Sequence, residues 1–159
     1  MSYGRGAHGS LRITKHTDFA LRVLIYLASH PEGRFATHRI AESFSISENH
    51  LAKVAQSLGK LGYVELKRGV GGGLELAREP DQISVGQVMR ELDRRSTLIE
   101  CFDAETNQCP ISSACGLKGA LGVAQEAFYA SLDPITIAQL VRRRRSALVD
   151  LLNHESPST

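Results

Sequence analysis

From residue 17 onward, apolar residues recur every three to four positions, and Leu21, Leu24, Ile25 and Ala28 fall on one face of a helix. Thr17 is its expected N-cap and Asp18 its first-turn acid, and the stretch 30–34, with Pro31 and Gly33, ends it. A short second helix is expected over about residues 37–44, and Ser45-Ile46-Ser47 then reads as a tight turn. Ser47 caps a third helix striped by Leu51, Val54, Ala55, Leu58 and Leu61 and closed by Gly62. The period then switches to two. Residues 63–66 alternate as a strand, 68–73 form a Gly-rich turn, and 74–76 alternate back. That order predicts a mainly α chain with a small β-hairpin, a winged helix-turn-helix.

Further on, Ser84 caps a helix to about residue 92, and a long helix follows a loop, over 117–132. Leu117, Leu121, Ala124, Phe128 and Leu132 stripe one face of it. Such a stripe is often plain core. A helix this long, appended to a domain with its own core, is better explained by packing on a second copy. The expectation is a C-terminal dimerisation helix and a homodimer. Asp133-Pro134 ends it and Thr136 starts a short last helix. The expected organisation is a disordered extension over 1–10, a winged DNA-binding domain over 11–80, a cysteine loop with dimerisation helix over 81–141, and a solvated basic helix end with a frayed tail over 142–159.

Charge adds a direction to this layout. The net charge of +2 hides segregation: residues 1–80 carry 11 Lys/Arg against 7 Asp/Glu, and residues 81–141 carry 4 against 8. A basic first half points to nucleic acid. In it, Ser47, Asn49, His50 and Lys53 open the second helix of the helix-turn-helix, where side chains reach base edges and phosphates. Lys67 and Arg68 stand at the wing tip, placed for phosphate or the minor groove. The glycines at 69, 71, 72 and 73 lie between two strands with no Gly-Lys-Ser/Thr after them, so they make a hairpin and no phosphate-cradling loop.

All three cysteines, Cys101, Cys109 and Cys115, sit in one 15-residue stretch spaced C-x7-C-x5-C. Their odd count speaks against a complete disulfide set. Three clustered thiols in a loop, with Pro110 after the middle one, read as ligands of an iron–sulfur cluster first. A thiol redox switch comes second, and zinc third, because no pair lies two to four residues apart. Asp103, Glu105 and the distant Asp18 are the candidates for a fourth ligand. No apolar run reaches membrane-spanning length and no apolar signal region opens the chain, so the expected location is the cytoplasm, where thiols stay reduced. No nucleophile–base pair or cofactor fingerprint is present, and no enzyme is expected.

The segments LRITKHTDFALRVLIYLA, SISENHLAKVAQSLGKLGYVELKRGVGGGLEL and AFYASLDPITIAQLV, together with the three-cysteine loop, resemble the iron–sulfur winged-helix repressors of the NsrR, RirA and IscR type. The resemblance spans about residues 11–141 and is nearest to the NsrR group. It implies a homodimer on a double-stranded DNA operator, with Cys101, Cys109 and Cys115 binding a cluster, 4Fe–4S or alternatively 2Fe–2S. Thr17-Asp18-Phe19-Ala20-Leu21-Arg22 matches that group's T-D-x-A-L-R, in which the aspartate is a ligand supplied by the other subunit, and this nominates Asp18. Nitric oxide is the implied signal: cluster damage breaks the tie between subunits and operator affinity drops. The seven-residue gap after Cys101 resembles RirA instead, which makes an iron-responsive repressor the alternative. A cluster-free thiol switch is the second alternative. The IscR group's histidine ligand after the third cysteine has no match here, and the ten residues before Leu11 are an unusual extension.

Overall fold

A computed structural model of the chain describes residues 13–93 and 98–153. The expected disordered extension and the tail after 153 lie outside these residues. Along the described chain run α1 (Lys15–Ser29), α2 (Thr37–Ser43), α3 (Glu48–Lys60), β1 (Val64–Lys67), β2 (Gly73–Leu76), α4 (Val85–Leu92), α5 (Gly116–Leu132), α6 (Ile137–Arg142) and α7 (Arg145–Asn153). The predicted order of helices and wing is the observed one.

The first helix sits at the centre, touched by α3, β2, α4, α6 and α7. Ala20, Val23, Leu24 and Tyr26 are wholly buried in it, while the expected stripe members Leu21 and Ile25 are only half-buried. A helix surrounded on several sides buries more than one stripe: the expected members Leu24 and Ala28 are buried, and Leu21 and Ile25 pack partly against the core. Its cap also differs from expectation. Thr14 Oγ1 accepts the Thr17 N–H at 3.1 Å, and the helix therefore starts at Lys15. Thr17 itself is buried, and its hydroxyl donates to Asp93 Oδ1 at 2.6 Å, an oxygen that Thr14 also reaches at 3.3 Å. A carboxylate taken out of water requires such donors.

Between α2 and α3 the turn forms as expected, with Ser45 in the left-handed region at φ +53°. The wing pairs β1 with β2 antiparallel, Val64 opposite Leu76 and Lys67 opposite Gly73. Gly73 is a glycine of necessity: its φ is +145°, and a Cβ there would fall 2.5 Å from the Phe35 carbonyl oxygen. That approach lets Phe35 add a bridge to Leu74, which docks the wing on the body.

The core does not stop at the wing. Ile83, Val85, Val88, Met89, Tyr129, Ile137 and Val141 join the same apolar cluster as α1 and α3. The end of α5 reaches α4 at Gly86, where a Cβ would stand 2.6 Å from the Tyr129 carbonyl oxygen. Beside it Arg90 donates to both oxygens of Asp133, at 2.8 and 3.0 Å, and to Glu126 at 2.9 Å. The Arg90 guanidinium holds the Asp133 carboxyl below its ordinary range. Toward its start, α5 is bare: Leu117 is 64% and Val123 73% exposed, Ala124 is exposed, and Leu121, Phe128 and Leu132 are half-buried.

Thr136 starts α6 with a reciprocal capping box to Gln139. Residues 142–145 are exposed, as a solvated basic face should be, but the chain then forms α7 instead of simply ending. Leu148 and Leu152, four apart, pack on the core, and Arg145 Nε donates to the Ser29 carbonyl at 3.0 Å.

Thr17→Val removes the shorter of the two hydroxyl donors to a buried carboxylate. The expected loss is about 1–3 kcal/mol of unfolding free energy with an unchanged denaturant slope, measured by urea titration.

Candidate cysteine loop and DNA-facing surface

Helix α3, the second helix of the helix-turn-helix, is oriented by its cap. Ser47 Oγ accepts the His50 N–H at 3.3 Å, and Leu51, Val54, Ala55 and Leu58 bury the opposite face against the core. Burial of each such aliphatic side chain contributes about 1.5–3 kcal/mol, which fixes the helix's rotation. Ser47, Asn49, His50 and Lys53 are all left exposed, on the side away from the core. The Ser47 hydroxyl is thus already engaged as a cap. His50 meets the Phe19 ring edge-on, with centroids 5.4 Å apart.

Lys67 ends β1 and Arg68 enters the tight turn, and both are exposed. Val70 stands fully exposed beside them. The strand reaches this tip from a braced base. Arg78 donates to the Leu61 and Gly62 carbonyls at 3.0 and 2.9 Å and covers the Tyr63 ring at 4.8 Å. Burial, and then the Glu91 carboxylate that accepts the Tyr63 hydroxyl at 2.7 Å, push that phenol above its ordinary range.

The cysteine loop is held by short-range polar contacts. Cys101 lies in a 3-10 turn, Glu100–Phe102, whose Phe102 ring lies against Gly122 of α5. Glu100 Oε1 accepts the Gln108 N–H at 2.7 Å, and Asn107 Oδ1 accepts the Cys109 N–H at 3.0 Å while its amide donates to Ser112 at 2.9 Å. Cys115 occupies the position before α5, and its side chain makes no capping bond. All three thiols are free and half-buried. Asp103, one candidate fourth ligand, is spent on its own turn: it accepts the Glu105 N–H at 2.9 Å, which holds its carboxyl below the ordinary range, with the Thr106 hydroxyl adding to the effect.

Asp18 lies elsewhere. It opens α1 and accepts both Arg22 Nη2 at 2.8 Å and Nε at 3.1 Å, with 36% of its side chain exposed. Among the described residues, no three His, Cys, Asp or Glu side chains stand together as a metal-holding group, so Cys101, Cys109, Cys115 and Asp18 are not gathered within one chain. In kind, the loop fits a thiophilic centre: three unpaired thiols on irregular, partly exposed backbone. A cleft of about 520 Å3 between the end of α1 and the base of the wing, lined by Leu27, His30, Arg34, Glu75 and Arg78 among others, includes none of these four residues.

Sequence reasoning did not anticipate the contacts of Phe19, Arg22 and Arg78. Arg22 had a signal, its place four residues after Asp18. Arg78 had none, because its acceptors are backbone carbonyls 16 and 17 residues away.

The profile of the Rrf2 family, described as iron-dependent transcriptional regulator, matches residues 13–143. The HTH-type transcriptional regulator NsrR of Bacillus subtilis is 45% identical over 139 residues, covering 87% of this chain and 95% of that protein. The HTH-type transcriptional repressor NsrR of Streptomyces coelicolor is 44% identical over 133 residues, covering 82% and 88%. Among solved structures, T. potens IscR superimposes with a TM-score of 0.66 at 27% identity, over 87% of this chain and 91% of that one.

Because the three thiols are free and none is fully buried, reduced metal-free protein should release three equivalents of chromophore from an aromatic disulfide reagent without denaturant. Absorbance titration checks this against the denatured protein.

Proposed function

The chain belongs to the Rrf2 family of iron-dependent transcriptional regulators, and we propose that it is a DNA-binding repressor whose grip on a two-fold operator is set by an iron–sulfur cluster that reports nitric oxide. It is not an enzyme: its relatives are transcriptional regulators. The observation that carries the proposal is the set of three unpaired, half-buried thiols in the loop that enters the bare helix α5 of a winged-helix chain.

In this reading Cys101, Cys109 and Cys115 are the thiolate ligands. Asp18, exposed at the start of α1, serves the loop of a second copy. A bound cluster, taken as 4Fe–4S, supplies iron that nitric oxide can attack. The apolar residues of α5 bury themselves against the second copy, which makes a homodimer and sets the spacing of two α3 helices along one face of DNA. Asn49, His50 and Lys53 meet the major groove, Ser47 holds the helix end that presents them, and Lys67 and Arg68 neutralise phosphates or enter the minor groove. Among the described residues no helix is long and apolar enough to cross a membrane. In this reading a DNA partner and thiolate ligands call for the cytoplasm, where thiols stay reduced.

Two observations favour a second reading, iron sensing: the seven-residue gap between Cys101 and Cys109, and the family's description as iron-dependent. An absorbance spectrum of protein purified without oxygen separates the two. The expected result is a brown protein whose cluster band bleaches with a few nitric oxide per cluster, and a folded, colourless Cys109→Ala dimer. A band that ignores nitric oxide but disappears with an iron chelator supports iron sensing. A Cys109→Ala protein that stays brown overturns the ligand assignment.

The wing cations are tested separately. On a duplex selected by the protein from a random-sequence pool, Lys67→Gln with Arg68→Gln should flatten the dependence of log K on log salt by about 0.9 for each phosphate contact removed. Fluorescence anisotropy across a potassium chloride series measures the slope.

A further inference from the structure

Helix α7 lies beyond residues 13–143, the span that matches the family profile, yet it is built into the body at both of its ends. At its start, Arg145 Nε donates to the Ser29 carbonyl at 3.0 Å. Ser29 closes α1, so this carbonyl has no donor within its own helix. At the other end the direction reverses. The hydroxyl of Ser43, the last residue of α2, donates to the Leu152 carbonyl of α7 at 3.1 Å and shares its proton with the Arg39 carbonyl at 3.0 Å. Between the two contacts, Leu148 and Leu152 pack on the core. The nine residues of α7 rise about 13 Å, and that length spans the gap between the end of α1 and the end of α2. Helix α2 needs such support. It has seven residues, no side-chain cap at its start, and only Ile40 and Ala41 buried. A helix this short takes its position from tertiary contacts. Directly after Ser43 comes the turn into α3, in which Phe44 sets its ring edge-on to Tyr26 of α1, 6.3 Å between centroids, and Ser45 stands at φ +53°. A serine keeps that left-handed conformation only where its surroundings hold it.

We infer that α7 is a strut for the helix-turn-helix, and that Arg145, Leu148 and Leu152 are positioning residues for DNA binding. With α7 seated, the end of α2 is held at a fixed distance from the end of α1, and the turn delivers the start of α3 in one orientation. With α7 unseated, α2 keeps Ile40 and Ala41 in the core, but its last turn is free to swing. The exposed residues of α3 are then presented over a range of angles. The arrangement that fits DNA is populated only part of the time, which raises the apparent dissociation constant in proportion. The inference rests on the proposed use of α3 against DNA, and it adds residues up to 109 positions away from the turn they support. A helix that only added buried apolar surface would change global stability and leave the affinity of folded molecules as it was.

The test uses the full chain, purified without oxygen, on the duplex selected from the random-sequence pool. It is run at a temperature where circular dichroism puts every variant on its folded baseline. Leu148→Ser with Leu152→Ser should weaken binding at least about fivefold, as expected where the fitting arrangement is populated about a fifth of the time or less. Leu148→Met with Leu152→Met, which keeps the apolar contact, should bind as wild type does. Both should keep the wild-type slope of log K on log salt, since no phosphate contact is removed. Unchanged affinity in the serine variant overturns the inference, and so does weakened binding in the methionine variant. A flatter slope in the serine variant shows α7 touching phosphate itself and overturns the strut as well. A second readout needs no DNA: amide hydrogen exchange in the serine variant should rise over residues 40–46 and stay at the wild-type level over 51–58 and 85–92. An equal rise in all three segments makes α7 an ordinary stabilising helix and overturns the strut even if the repressor function stands. A wild type that binds no duplex, with exchange still confined to 40–46, removes the proposed function and with it the role of the strut in DNA binding. Should the serine variant not fold, Ser43→Ala with Arg145→Ala carries both measurements, since it removes the bond at each end of α7 and leaves the core untouched.

Discussion

The hydrogen bond from the buried Thr17 hydroxyl to Asp93 is the constraint on which the arrangement of the functional parts depends. It joins the first turn of α1 to the residue where α4 ends and the chain departs for the cysteine loop. A carboxylate this deeply buried needs donors, so sliding or rotating α1 away from α4 costs on the order of 1–3 kcal/mol for each donor lost. Because α1 also packs on α3, β2, α6 and α7, fixing its first turn fixes the frame for both α3 and the loop. Asp18 lies one residue beyond Thr17 on that fixed turn. Its backbone place is therefore set by the core, while its side chain faces outward.

A second clamp governs α5. Gly86 allows the end of α5 to approach α4 more closely than any other residue would, and the Arg90–Asp133 fork holds it there. The clamp engages only the C-terminal end. The opposite end, which begins at Cys115, stands out from the body with Leu117 and Val123 exposed. A helix anchored at one end and apolar along its free length suits a contact with another chain better than it suits water, since contiguous exposed apolar surface is costly in a monomer. The same geometry attaches the last cysteine to the part of the helix least supported by its own subunit.

Much of this was legible in the residues. Ser47, Ser84 and Thr136 announced three helix starts through side-chain oxygen at the N-cap, and each does cap the helix it was expected to cap. Glycine and the change of period from 3.6 to 2 marked the wing. The failures have physical causes. Thr17 was read as a cap because a threonine before an apolar run usually is one, but Thr14 takes that place and Thr17 bonds a partner 76 residues away. The face of α1 was read too narrowly, because a helix packed on several sides buries more than one stripe. Helix α7 was hidden behind four arginines and shows itself only when Leu148 and Leu152 find the core. At the candidate site, the types and spacing of the cysteines were plain, while the local scaffold of Glu100, Asn107 and Ser112 was not, because polar loop residues carry no periodic signal.

One feature of the donor set follows from these constraints together. Three thiols and one carboxylate were nominated as ligands, and the described residues do not gather them in one chain. If they had to converge within a subunit, α1 would have to leave the Thr17–Asp93 bond or the loop would have to give up the contacts of Glu100 and Asn107. On the side of α1, engaging Asp18 elsewhere gives up its part-buried pair with Arg22 and leaves the Thr17–Asp93 bond in place. The proposed supply of Asp18 from a second copy is thus compatible with the fixed first turn of α1.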